Sequence, residues 1–267
     1  MFDMMSQARN AIEAYNEALK ASSANIANMN VIGYKRVDVS FQTVFERVIN
    51  QGSAASNEMG GTNPKQLGSS MNVANVSVDF SDGEYASANN IDLAISGNGL
   101  FIVSADNGET FRYTRAGQFS LNSSGNLVTA AGHQVYGLNS SGSLVAITGL
   151  LGNASDYSWN SGTGTLLYSG TDTGYRIALT SFTNPNGLVQ ADGSTFMETT
   201  ASGAPATPRE VGGNVGSILT GQLEQSNVFY LGESIDALEI QRAMSANLTM
   251  VRLASDIISS FIKSLGG

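Results

Sequence analysis

The chain has 267 residues, 42% of them apolar and only 13% charged, with 30 glycines. That is enough apolar material for a substantial core, which excludes a disordered chain, and the polar surface has to come mainly from Ser, Thr, Asn and Gln. A net charge of −9 without any Lys/Arg cluster argues against nucleic acid, while the absence of Cys and the single His133 remove disulfides, thiolate chemistry and most His-based metal sites and triads.

From the start of the chain, Met5, Ala8, Ile12, Tyr15, Leu19, Ser22, Ile26 and Met29 recur in alternating steps of three and four, with Arg9, Glu13, Glu17 and Lys20 off that stripe. This spacing predicts a heptad-patterned helix over the first thirty residues. Asn25 and Asn28, followed by Asn30 and Gly33, predict that it ends in a shaped turn, because a helix interior disfavours Asn and Gly accepts the left-handed backbone. The opening Met1-Phe2-Asp3-Met4-Met5 carries an acid in place of a basic region and is not expected to act as a cleaved secretory signal.

Gln51 to Ser70 is rich in Gly, Ser, Ala and Asn and reads as a linker. Val73, Val76, Val78 and Phe80, then Ile91 to Ile95 and Leu100 to Val103, predict short strands of period two. Ser96-Gly97-Asn98-Gly99, Asp106-Asn107-Gly108, Asn122 to Gly125 and Asn139 to Gly142 supply residues that tolerate φ > 0 in hairpin turns. Leu144 to Leu151 is the longest apolar run and is too short to cross a bilayer, so membrane insertion is not expected. Ala201 to Gly216, with Pro205 and Pro208, reads as a second linker. At the end, Leu231, Ile235 and Leu238, then Met244, Leu248, Val251, Ser255, Ile258, Ile262 and Leu265, predict a long helix with one slip of phase near Ile240, N-capped at Ser226 or Asn227.

No enzyme chemistry suggests itself. Ser nucleophiles and His133 lack a GxSxG context, Asp79, Asp82 and Glu84 flank a glycine turn and read as solvated, and Asp106 to Glu109 lacks the carboxylates of a calcium loop. No cofactor or metal is expected. The predicted fold class is mixed α and β: paired N- and C-terminal helices forming a coiled-coil stalk, with an inserted all-β domain of short strands. The expected division is a helical assembly domain of residues 1–30 plus 226–267, a connector at 31–70, a β-rich domain at 71–200 and a return connector at 201–225. A Ser/Thr/Asn/Gly-rich middle also admits a secreted adhesin or surface-binding module.

Ser22 to Arg36, reading SSANIANMNVIGYKR, resembles the N-terminal signature of bacterial flagellar rod and hook proteins. Further collinear blocks resemble the same family: Ile91 to Phe101, Tyr113 to Phe119, Gly221 to Val228, and Ile240 to Ala243 with Asn247. Leu138 to Gly174 matches nothing specific in it, and subunit-specific surface is expected there. Gly60 to Gly68 is similar to a hook-type connector, and the length fits a distal-rod or short hook subunit.

The resemblance implies a structural subunit that polymerises into the tubular axial part of the flagellum, hook or distal rod, transmitting motor torque and contributing to the wall of the export channel. It implies partners in further copies of the chain, adjacent rod, hook or junction proteins, an assembly cap and the export apparatus, with the protein located in the hook-basal body outside the cytoplasm. On this resemblance the subunit-interface helices present Met5, Ile12, Leu19 and Ile26 together with Ile235, Leu238, Leu248, Val251, Ile258 and Ile262. The signature turn of Asn25, Asn28, Gly33, Tyr34 and Lys35 is expected to make contacts between subunits, with Lys35 and Arg36 available to carboxylates on a neighbour.

Overall fold

The computed structural model describes residues 2–50, 61, 63, 65–207, 211–212 and 215–266. Most of the predicted linker at 51–70, including residues 60, 62 and 64 of the hook-like stretch, lies outside the described residues, as do 208–210 and 213–214 of the second linker.

Helix α1 (Phe2–Ala27) is followed by two long strands, β1 (Val37–Asn50) and β2 (Lys65–Val78), which pair with each other alone. Seven short strands then follow: β3 (Tyr85–Ser87), β4 (Leu93–Ser96), β5 (Leu100–Ser104), β6 (Arg112–Thr114), β7 (Phe119–Leu121), β8 (Leu127–Thr129) and β9 (Gln134–Leu138). After them come β10 (Leu144–Ala146), β11 (Tyr157–Trp159), β12 (Thr165–Tyr168), β13 (Thr171–Ile177), β14 (Leu179–Thr180), β15 (Val189–Gln190) and β16 (Thr195–Met197). β17 (Ser217–Thr220), β18 (Gln222–Glu224) and the helix α2 (Tyr230–Leu265) complete the chain. The class is mixed α and β, with two long terminal helices and antiparallel strands between them.

The chain divides into two compact units, one of 1–26, 37–77 and 230–267 and the other of 27–36 and 78–229. Two expected boundaries therefore move. The boundary at residue 70 falls inside β2, and the stretch 201–225, read as a return connector, contains β17 and β18, which pair with β4 and β3. Proline and glycine mark the first part of that stretch, but Ile218, Leu219 and Leu223 have a complementary edge to pair with, and backbone groups buried there need that pairing.

In the second unit the central run is β11-β12-β13-β9-β5-β6-β16-β15, with β10 and β8 on β9, β7 on β8 and β14 on β5. Strand β5 is buried along its whole length: Phe101 and Val103 enter one apolar cluster with Leu93, Leu127, Val135, Leu166 and Ile177, while Leu100 and Ile102 enter another with Tyr113, Tyr136 and Phe196. Period two alternation on a strand covered on both faces reads as the continuous apolar run seen in the sequence.

The segment 138–174, where subunit-specific surface was expected, is only partly surface. Tyr157, Trp159 and Leu166 are buried in the core, and Trp159 Nε1 donates to the Ile91 carbonyl at 2.7 Å, while Leu151 stands 77% exposed. His133 is buried too, its backbone N–H bonded to Thr129 Oγ1.

In the first unit α1 buries a seam of short side chains, Ala8, Ala14, Ala18, Ser22 and Asn25, and the larger Met5, Ile12, Leu19 and Ile26 flank it half-buried. On α2 the buried or half-buried positions include Glu233, Ala237, Ile240, Met244, Asn247, Val251, Ala254 and Ile258, in steps of four and three, with Gly232, Ser234 and Ala243 beside them. Leu248 and Ser255 of the expected stripe are exposed in this chain, and the neighbouring Asn247 and Ala254 are the more covered positions. Hydrophobic pattern weights large side chains, whereas close approach of backbone favours small ones. Tyr15 and Phe41 pack edge to face at 5.9 Å between α1 and β1.

Candidate functional site

Two features stand out, a buried charge junction in the second unit and a set of exposed large apolar side chains along α2. The junction is built from the signature blocks. Lys35, 1% exposed, donates from Nζ to Glu224 Oε1 at 2.5 Å and to the Ser81 carbonyl at 2.6 Å. Glu224 at the end of β18 is wholly buried and accepts further from Gly83 N and Arg115 Nη1. Arg115 also reaches Asp82 Oδ1 at 3.2 Å and the carbonyls of Ile95 and Gly97. Two cations and two carboxylates balance, which is what burial of charge requires.

Backbone contacts tighten the same place. Gly33 N–H donates to the Glu224 carbonyl at 2.8 Å, and Gly33 stands at φ +67 with its α-carbon against the Arg115–Ala116 peptide. Asp92, 1% exposed, accepts from Phe119 N and Asn89 N, and its carbonyl accepts from Gly221 N. Asn227 accepts from Arg36 N and donates to the carbonyls of Asp79 and Ser81. Four blocks far apart in sequence thus meet in one network.

This corrects several expectations. Lys35 is not available to a neighbouring subunit, because its ammonium is enclosed with a carboxylate of its own chain. Arg36 faces Asp79 at 3.7 Å. Asn227 does not cap α2, which begins at Tyr230, since its amide is committed to peptide groups at Arg36, Asp79 and Ser81. Asp79 is half-buried and Asp82 exposed, but both carboxylates are bonded within the chain, which the reading as solvated groups did not anticipate.

The turn itself is as the sequence suggests: α1 stops at Ala27, and Val31 N–H bonds the Asn28 carbonyl. Tyr34 is 3% exposed. Asn25, within the last turn of α1, exchanges two hydrogen bonds with the Val37 peptide groups at 2.9 Å and donates to Glu233 of α2 at 3.2 Å. Glu233, Arg115, Glu224 and Asp82 were not assigned roles from the sequence. The signal was present in the low charge content, since few charges in a chain make each one placed beside an apolar block a candidate for burial.

Burial lowers the Lys35 ammonium from its usual range, partly opposed by Glu224. Burial would raise Asp82, but the Gly97 N–H, the Tyr85 hydroxyl and Arg115 together outweigh it and hold the carboxyl below its ordinary value. Tyr85 is pushed up to about 12 by burial and by its bond to Asp82. Asp79 is likewise depressed: burial opposes the shift, and Ser81 and Arg36 outweigh it.

A carboxyl depressed in the folded chain binds fewer protons than in the unfolded one, so its stabilisation is complete above the unfolded pKa of about 4 and is lost as pH falls through the lower folded value. Acid titration of the urea midpoint, followed by Trp159 fluorescence, should therefore fall below about pH 4, and more shallowly in Asp82→Asn. An unchanged slope in that variant would refute the assignment.

The second feature lies on α2, where Leu231, Ile235, Leu238, Leu248, Leu253, Ile257, Phe261, Ile262 and Leu265 are each at least 40% exposed. The interface residues expected from the sequence divide accordingly: Ile235, Leu238, Leu248 and Ile262 are exposed, while Val251 and Ile258 are half-buried. Met5, Ser6, Arg9, Ile12 and Glu13 of α1 share a surface recess with Val251. No helix of the described residues is long and apolar enough to cross a membrane, and none of their carboxylates and His133 form a metal-binding group.

Residues 94–154 match the family model described as the flagellar hook protein FlgE/F/G D1 domain. The chain is 32% identical over 247 residues to the flagellar basal-body rod protein FlgG of Caulobacter vibrioides, covering 89% of this chain and 90% of that protein. It is 29% identical over 243 residues to FlgG of Bacillus subtilis, covering 89% of each. It is also 43% identical over 108 residues to the flagellar hook protein FlgE of Borreliella burgdorferi, covering 40% of this chain and 24% of that one. These relatives are flagellar structural proteins, which leaves the adhesin reading without support. A near full-length match at this identity, with the matched domain and the four blocks joined in one core, establishes that the chain belongs to the flagellar hook and rod protein family.

Proposed function

We propose that the protein is a structural subunit of the flagellar axis, of the distal-rod kind, that polymerises with further copies of itself. The observation that carries this reading is the row of large apolar side chains left exposed along α2, which a monomer has no reason to keep in water. Alignment over nearly the whole of both chains with rod proteins, against a quarter of a hook protein, favours rod over hook.

In this reading α1 and α2 pair through their small-residue seams, and the Asn25–Glu233 bond and the recess shared with Val251 support that pairing. The exposed apolar residues of α2 are then free for neighbouring copies. Burying each large side chain contributes roughly 1.5–3 kcal/mol, so a few per subunit suffice to drive assembly. Such an axis would transmit torque, enclose the export channel and contact adjoining rod, hook or junction proteins, a cap and the export apparatus, in the hook-basal body. The protein has no enzymatic role in this reading.

The test is Leu248→Asp, placed at a position 40% exposed so that the fold is spared, with Leu253→Asp at 54% as a second variant. Electron microscopy and sedimentation of the concentrated protein should show tubes or filaments from the unaltered chain and none from either variant, with Trp159 fluorescence unchanged. Filaments formed equally well by both variants would overturn the role assigned to the exposed apolar residues of α2.

A further inference from the structure

The sequence contains three Asn-Gly steps, Asn98-Gly99, Asn107-Gly108 and Asn186-Gly187, and in all three the asparagine is exposed. Asn-Gly is the pair in which a backbone amide nitrogen most readily attacks the preceding side chain, since glycine offers no β-carbon to obstruct it. What differs between the three is where the attacking nitrogen's proton is held. Gly108 N–H donates to Ser104 Oγ at 2.9 Å, and Gly187 N–H donates to the Asn184 carbonyl at 3.1 Å within a short 3-10 turn. Among the described residues Gly99 N–H has no acceptor and the Asn98 side chain no hydrogen bond; Gly99 is buried where Gly108 and Gly187 are half-buried, but it and the exposed Asn98 line a recess beside Leu100 and Arg115 through which base can reach them.

We propose that Asn98-Gly99 is a self-modification site of the folded chain. Gly99 N, after losing its proton to base, forms a bond to Asn98 Cγ. The Cγ–Nδ2 bond breaks, ammonia leaves, and a succinimide closes. Water then opens the ring to aspartate or isoaspartate, so no oxidant or further reactant is needed.

The position gives the change a consequence. The Gly97 carbonyl accepts from Arg115 Nη2 at 2.6 Å, and the Asn98 carbonyl accepts from Gly216 N. An isoaspartyl link reroutes the backbone through the Asn98 β-carbon and turns the carbonyl that Gly216 N–H binds into a free carboxylate, and either product adds a negative charge beside the Lys35–Glu224–Arg115–Asp82 junction. Age of the protein is thereby written into the junction that joins the signature blocks.

The experiment incubates the full chain at mildly alkaline pH, folded and in parallel in concentrated urea, and maps the mass gain of about one dalton by peptide mass spectrometry. In urea the three sites should react at rates within about two-fold of each other. In the folded chain Asn98 should lead Asn107 and Asn186 by about five- to ten-fold, the factor expected when the competing nitrogens must first give up a hydrogen bond of roughly 1–1.4 kcal/mol. Equal or slower reaction at Asn98 in the folded chain would overturn the proposal. So would the same preference for Asn98 in urea, because the selectivity would then belong to local sequence.

Discussion

Glu224→Gln is expected to lower the unfolding free energy of the second unit by about 3–5 kcal/mol, the cost of leaving a buried charge without its partner. The carboxylate accepts from three donors, Lys35 Nζ, Gly83 N and Arg115 Nη1, and every one of them points a hydrogen at it. A glutamine of the same shape keeps one acceptor and turns two hydrogens of its own toward the remaining donors. Two cations then share Asp82, whose side chain is one-third exposed and further away. Urea unfolding followed by the fluorescence of Trp159, the single tryptophan and a buried member of this unit's core, measures the loss directly. A midpoint like that of the unaltered chain would show that the junction contributes nothing. Lys35→Met should cost a comparable amount, and the double variant Lys35→Met with Glu224→Gln less than the sum of the two, because the members of one buried network couple.

Gly33→Ala is expected to destabilise the same unit by about 2–5 kcal/mol, and the loss divides into two parts. A side chain at φ +67 costs about 1–2 kcal/mol by crowding its own backbone. The rest, about 1–3 kcal/mol, is overpacking, since a Cβ at this place would overlap the Ala116 nitrogen and the Arg115 carbonyl carbon. Gly132→Ala isolates the first part: its φ is +84, yet nothing lies within 4 Å of the added carbon. Equal losses from the two substitutions in urea unfolding would mean that the close approach of the signature turn to Arg115 is not a constraint.

These two positions show what could be read in advance. The NIANMNVIGYK stretch was legible as a helix end, because Asn and Gly have local reasons to stop a helix. That its lysine finds Glu224 could not be read, since the pair is separated by 189 residues and periodicity carries no information at that range. The strands of the middle were legible where a run was strongly apolar, as at Leu100 to Val103, and β17 and β18 were missed because glycine and proline nearby outweighed a short apolar pattern. On the helices the existence and extent of both were legible, but not which positions of α2 its own chain covers, where Asn247 and Ala254 are less exposed than Leu248 and Ser255.

The sequence by itself determined the two terminal helices, the β-rich middle, the lack of thiol and histidine chemistry, and the family, because each rests on local periodicity, residue inventory or collinear blocks. Only the tertiary structure decided which signature residues are internal and which face outward. Lys35, Arg115 and Glu224 became mutual partners inside one unit, and large apolar side chains between Leu231 and Leu265 of α2 stayed exposed. The physical reason is that a buried charge is tolerable only where the fold delivers its counter-charge, and exposure is a property of what covers a side chain, which no local pattern contains.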